Sequence, residues 1–268
     1  MQPFATIGAA FLSLVAWQAS AQDACKLTAL GTAQVAAVRD GRTLLLADGR
    51  EVRLAGLEVA DSSRAALQRL IGDRPVRLEA LSADLDRYGR VVAFTFAGDA
   101  QSSLQQALLE QGQARVAARV GSKACAEALL AAERAARAGA RGLWADPNFA
   151  LLTPENSARL RAERGHFTII EGKVLSVRDS GSTIYLNFGR RWTRDFSVIV
   201  LRRNQRIFND AGLVLKRLEG RRIRVRGVLE QRRGPVIEAD APEQIEIADE
   251  TMTHAQESQQ ETRQETRP

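Results

Sequence analysis

The sequence predicts an α+β fold followed by a small β-barrel. Three observations lead there. In the first half a run of strand-like segments precedes the helical ones; after about residue 165 short strands return around a single helical stretch; and Pro147 and Pro154 punctuate the segment between. At 268 residues the chain also exceeds a typical single domain, so two cores are expected.

The first strands are expected at 32–38, 43–46 and 51–57, with Asp48-Gly49 as the tight turn between the last two. Ser62 and Ser63 can cap a helix that runs to about Ile71, because Ala66, Leu67, Leu70 and Ile71 recur at helical spacing behind them. Strands at 76–81 and 91–96 follow, joined by a polar loop that holds Tyr88-Gly89-Arg90. Two helices complete this half, at 103–111 and at 123–138, the second rich in alanine and ended by Gly139.

Residues 147–164 read as a linker. Beyond them, strands are expected at 167–178 (interrupted by Gly172), 183–188 and 197–201, then a short helix at 202–211, then strands at 222–228, 235–239 and 245–247. Three strands, a helix and two or three more strands match the order of an oligonucleotide/oligosaccharide-binding (OB) barrel. The tail is polar and nearly repeats Gln260-Glu261-Thr262-Arg263 as Gln264-Glu265-Thr266-Arg267, which reads as disorder. The expected organisation is a signal peptide at 1–21, an α+β domain at 22–146, a linker at 147–164, a basic barrel at 165–249 and a disordered tail at 250–268.

The signal peptide rests on an apolar run at 4–17, short for a membrane span, followed by the small-x-small pattern Ala19-Ser20-Ala21. Cleavage there would leave an exported chain, periplasmic or secreted, with no membrane span; an uncleaved anchor is the alternative. Cys25 and Cys125 are the only cysteines, and in an exported chain they suggest one disulfide. Neither His166 nor His254 sits near a cysteine in sequence, which argues against a Cys/His metal site. The net charge of +6 favours polyanionic partners, and residues 165–248 concentrate it, with 16 Lys and Arg against 10 Asp and Glu.

Four patterns in the first half carry chemistry: Asp40-Gly41-Arg42-Thr43, Arg53 at the head of a strand leading to Glu58 and Asp61, Tyr88-Gly89-Arg90, and Gly142-Leu143-Trp144 after the long helix. In this order and spacing, residues 31–146 resemble the thermonuclease, or staphylococcal-nuclease-like, family. The resemblance implies a nuclease-like OB barrel with helices, and hence two barrels in tandem. It also implies Ca²⁺-dependent phosphodiester hydrolysis, in which carboxylates and a carbonyl hold the ion, two arginines neutralise the transition state and an acidic group handles water. Hard cations take oxygen ligands, and charge developing on phosphate oxygens is best met by guanidinium. Carried over by position, Arg53, Asp61 and Arg90 stand for the catalytic groups, and Asp40, Glu58 and the Val59 carbonyl for the metal donors.

The departures fall on the metal and water side. Arg42 stands where the main metal-binding aspartate is expected, Glu58 where a second aspartate is, and Val59-Ala60-Asp61 replaces Thr-Pro-Glu. Near a surface a unit charge pair at about 4 Å is worth roughly 4 kcal/mol, so an arginine among the ligands opposes a cation strongly. Three readings of Arg42 are open: pairing with Glu58 or Asp61, exposure to solvent, and a substitute contact to phosphate.

In the second half, Tyr185, Arg190, Arg191, Trp192 and Arg194 interleave aromatic and basic side chains, a composition that suits single-stranded DNA or RNA. Alternation requires either Tyr185, or Leu186 and Phe188, to face the core. Arg222, Arg224 and Arg226 alternate with apolar residues and are expected to form an outward basic face. Three functions fit: a nucleic-acid-interacting protein with hydrolysis weak or lost, a Ca²⁺-dependent nuclease with a rearranged site, and an envelope binding module with no nucleic-acid role.

Overall fold

The structure is a computed structural model that describes residues 25–191 and 193–248. The expected signal peptide, Trp192 and the expected tail lie outside the described residues. Buried apolar side chains form two clusters, one from Val38 to Ala132 and one from Leu152 to Ile245.

The first half contains β1 (Thr28–Ala33), β2 (Val35–Asp40), β3 (Thr43–Leu46), β4 (Glu51–Leu54), β5 (Leu57–Val59), α1 (Ser63–Ile71), β6 (Val76–Ala80), β7 (Val91–Ala97), α2 (Leu104–Glu110), β8 (Ala114–Val116) and α3 (Lys123–Ala138). Six strands form one sheet in the order β1-β6-β7-β4-β3-β2, with β4 and β7 parallel and the other pairs antiparallel. The strand expected at 51–57 breaks after Leu54, turns at Gly56 with φ +70°, and resumes as β5 to pair with β8. β8 is too short, with Arg115 at its centre, to show a sequence pattern. Ser62 makes no cap hydrogen bond. Ser63 instead accepts from the Ala60 amide at 3.1 Å and donates to the Gln113 carbonyl, so it ties the end of β5 to the chain entering β8.

Cys25 and Cys125 form a disulfide with their Cα atoms 4.6 Å apart, fastening the described N-terminus to α3. Gly112 and Gly142 explain the Gly-Leu-Trp motif. The Leu143 amide donates to the Gly112 carbonyl at 2.8 Å, and a Cβ on Gly142 would lie 2.4 Å from that same oxygen. Any larger residue would push the two backbones apart.

The second half contains α4 (Ser157–Ala162), β9 (Phe167–Lys173), β10 (Ser176–Ser180), β11 (Thr183–Asn187), β12 (Ser197–Leu201), α5 (Gln205–Asp210), β13 (Arg222–Val228), β14 (Glu230–Gln231), β15 (Pro235–Glu238) and β16 (Ile245–Ile247). These strands form a five-stranded sheet, β10-β11-β12-β15-β14, and a three-stranded sheet, β16-β13-β9. Both contribute to the second cluster, so the expected barrel takes the form of two sheets around one core. The expected strand 167–178 breaks at Val174 and Leu175 rather than at Gly172. Residues 147–164 do not run free: Leu152 bridges to Ile170 and, with Leu160, is buried in the second core.

The halves meet through buried charge. Arg226 on β13 donates to both carboxylate oxygens of Glu133 on α3 at 3.0 Å, to the Val116 carbonyl at 3.0 Å, and to Glu246 on β16. Arg134 on α3 reaches Glu246 at 3.0 Å, and Glu243 accepts from the Val120 and Gly121 amides at 3.0 Å each. Burial acts to lower the Arg226 pKa; Glu133 and Glu246 outweigh it and the net shift is upward.

Candidate nucleic-acid site

The site grows out of one row of paired residues. Arg53 on β4 lies between Thr43 of β3 and Val92 of β7. Arg42 immediately precedes Thr43, and Arg90 lies two residues before Val92, so pairing alone brings three arginines distant in sequence to neighbouring strand ends. The Arg42 carbonyl accepts from the Leu54 amide at 2.8 Å, which locks this end of the row. Gly41 makes the approach possible: a Cβ there would sit 2.5 Å from the Ser63 Cβ and 3.2 Å from the Val59 Cβ. The Asp40–Arg42 turn therefore rests directly on the β5–α1 junction.

Arg42 pairs with Glu58. Its Nη1 donates to Glu58 Oε2 at 3.0 Å and to the Leu57 carbonyl at 2.8 Å, while its amide donates to Asp40 Oδ1 at 2.8 Å. The pair is partly shielded, with side-chain exposures of 26% and 31%. Asp61 is exposed, and its carboxylate makes no hydrogen bond or ion pair among the described residues.

Arg90 and Asp86 organise the facing loop. Arg90 donates Nε and Nη2 to Asp86 Oδ2 at 2.9 and 2.8 Å, and the Tyr88 and Arg90 amides donate to Asp86 Oδ1 at 2.9 and 3.0 Å. Partial burial acts to raise the Asp86 carboxyl; these hydrogen bonds overcome it and hold the group at about 2. The exposed Tyr88 ring lies 5.0 Å from the Arg90 guanidinium and 5.1 Å from that of Arg87. Arg53 is held below the usual guanidinium range, first by burial and then by repulsion from Arg42 and Arg90. Asp86, two residues before the Tyr88-Gly89-Arg90 motif, is a contributor to which the sequence reading assigned no role.

The donor set does not fit a divalent cation. Glu58 is engaged by Arg42, and among the described residues no group of three or more His, Cys, Asp or Glu side chains could hold a metal ion. A hard cation needs six or more oxygen ligands, whereas a guanidinium already uses two of the oxygens nearest the motif. Pairing with Glu58 is thus the reading of Arg42 that the geometry selects.

The second half offers a groove of about 900 Å³ on the five-stranded sheet, lined among others by Arg178, Tyr185, Asn187, Arg190, Arg232 and Arg233. Leu186 and Phe188 face the core, so Tyr185 faces the groove. On its floor Asn187 donates to Ser176 Oγ at 3.2 Å and accepts from Ser197 Oγ at 3.1 Å, a polar ladder across β10, β11 and β12. Arg190, Arg191 and Arg194 are exposed on the β11–β12 loop, which closes when the Arg191 amide donates to Asp195 Oδ2 at 2.8 Å. Arg178, Arg232 and Arg233 were not expected here; Arg178 lies on β10 and the other two in the β14–β15 turn, and only sheet pairing gathers them.

The outward basic face expected on β13 is not present as such. Arg224 and Arg226 are 7% and 1% exposed. Arg224 pairs with Glu171 at 2.7 Å and Arg226 with Glu133 and Glu246, because the face opposite the core is covered by α3. Arg222 keeps half its surface and stands 3.7 Å from Glu171.

Residues 51–146 match the family model described as staphylococcal nuclease homologue. No curated protein matches the chain. The Asp40–Thr43 turn lies before the matched segment and joins it through the β3–β4 ladder. The segment 51–146, carrying Arg53, Glu58, Asp61 and Arg90 in an α+β fold of OB type, is a staphylococcal-nuclease-like domain.

Proposed function

We propose that this chain is a thermonuclease-like protein that interacts with nucleic acid and whose phosphodiester hydrolysis is weak or lost. The observation that carries this reading is the Arg42 guanidinium on the Glu58 carboxylate and Leu57 carbonyl. Arg53 and Arg90 retain the phosphate side of the site, while the metal side is filled by a fixed positive charge. The groove with Tyr185, Arg190 and the Arg191–Arg194 loop supplies a second surface, suited to single-stranded DNA or RNA by stacking on Tyr185 with arginines along the backbone. The disulfide is compatible with an exported protein, and no helix among the described residues is long and apolar enough to cross a membrane.

Digestion of single-stranded DNA and RNA by the purified protein in Ca²⁺ tests the loss of hydrolysis. The expected result is little or no cleavage. Cleavage that disappears in Arg53→Ala would replace this reading with that of a Ca²⁺-dependent nuclease in which Asp40, Glu58 and Asp61 form a rearranged site. Oligonucleotide binding across a salt series tests the rest: affinity should fall steeply as salt rises, and absence of binding at low salt favours an envelope module without a nucleic-acid role.

A further inference from the structure

We propose that the first domain binds a phosphate group without any divalent cation, Arg42 supplying beside Glu58 the positive charge that bridges protein carboxylate and ligand phosphate. This rests on the nucleic-acid reading above and specifies how its first site works.

Three independent arrangements point the same way. Arg42 Nη1 spans Leu57 O and Glu58 Oε2, while its Nε and Nη2 donate no hydrogen bond among the described residues and the side chain remains 26% exposed. Arg42 is thus anchored at one corner with donors left over, a geometry that presents guanidinium edges to an incoming anion. The Arg53 guanidinium likewise donates no hydrogen bond among the described residues.

Glu58 also faces a second arginine. Its cross-strand partner in the β5–β8 ladder is Arg115. The Arg115 guanidinium lies 5.2 Å from the Phe149 ring and 4.8 Å from the Phe167 ring, and it donates to the Phe167 carbonyl at 3.4 Å. Phe149 and Phe167 lie beyond the matched domain, so the second half of the chain holds this arginine behind Glu58. Such stacking positions a cation and cannot be supplied by a lone OB domain.

The charge balance follows. Arg42, Arg53, Arg90 and Arg115 stand against Glu58, Asp86, Asp40 and Asp61, so the cluster carries no excess of negative charge to hold a divalent cation. The carboxylates Glu58 and Asp86 are already paired, whereas Arg53 and the free edges of Arg42 are not. The free guanidinium donors of Arg42 and Arg53 therefore suit an anion with several oxygens, Asp61 being the one carboxylate of the four with no hydrogen bond or ion pair among the described residues.

Isothermal titration of the full chain with a 5′-phosphorylated thymidine dinucleotide, in EDTA and in excess Ca²⁺, tests this. The expected affinities are the same in both buffers, and Arg42→Ala and Arg53→Ala each weaken binding about ten- to a hundredfold. Circular dichroism monitors folding, and Arg42→Gln, which can keep the hydrogen bond to Leu57 O while removing the charge, should weaken binding similarly. Binding that requires Ca²⁺, or that is unchanged in both Arg42 variants, overturns the proposal; if it is still lost in Arg53→Ala, the nucleic-acid reading survives. Absence of binding in both buffers overturns the proposal and removes the first domain from the nucleic-acid reading as well.

Discussion

Arginines serve opposite purposes in the two halves of this molecule. In the first, Arg42, Arg53 and Arg90 gather at one end of a strand row, partly exposed, with carboxylates enough to hold two of them and donors left over. In the second, Arg224 and Arg226 are buried on the face away from their own core; Arg224 is paired with Glu171 of the same half, and Arg226 reaches across to Glu133 as well as to Glu246. Arginines on strands can thus stand partly exposed with donors left over or be buried in a weld between the two halves. What decides is whether a second element covers the polar face.

The largest expected effect tests the weld. Arg226→Ala leaves Glu133 and Glu246 buried without their partner, and should lower unfolding stability by about 3–5 kcal/mol in urea titration. A loss under about 1 kcal/mol would mean that water screens the network and that the two halves are not joined by it. Removing the disulfide with Cys25→Ser and Cys125→Ser should cost somewhat less, about 2–4 kcal/mol by the same measurement. If the double variant matches the native protein, the tie to α3 adds nothing that packing does not.

Binding separates the exposed arginines of the second half from its buried ones. Tyr185→Ala should weaken single-stranded oligonucleotide binding by about 1–3 kcal/mol, the value of one base stacked on an aromatic ring. Arg190→Ala and Arg194→Ala should each reduce the salt slope by about 1, whereas Arg224→Ala should leave the slope unchanged. An equal change in slope for Arg224→Ala would place that side chain at the nucleic acid and erase the contrast.

The smallest effect concerns acid stability at the first site. Asp86 has its pKa lowered from 3.8 to about 2, so the unfolded chain binds its proton more readily. Its contribution to stability is complete above about pH 4 and is lost as pH falls toward 2. Asp86→Asn should flatten that part of the stability profile; an unaltered profile would mean that the Arg90 pair is not maintained in solution.

Much of this was legible in the chain. Strong alternation over 183–188 and 222–228, helical spacing over 63–71 and 123–138, and the paired cysteines each encode a local or covalent constraint. The Asp40–Arg42, Arg53 and Arg90 motifs come together because sheet pairing brings their strand ends side by side. Less legible were β8, Asp86 as a loop organiser and the gathering of Arg178, Arg232 and Arg233, which depend on contacts between distant segments.

By itself, then, the sequence determined most of the strands and helices and their order, the disulfide and the substitution of an arginine for a carboxylate at position 42. Only the tertiary structure decided that Arg42 pairs with Glu58, that Arg115 backs it from across a strand, and that Arg224 and Arg226 are buried. The reason is physical. Periodicity records which side chains share a face, but the free energy of a charge depends on what lies opposite that face, and this is set by the packing of segments far apart in the chain.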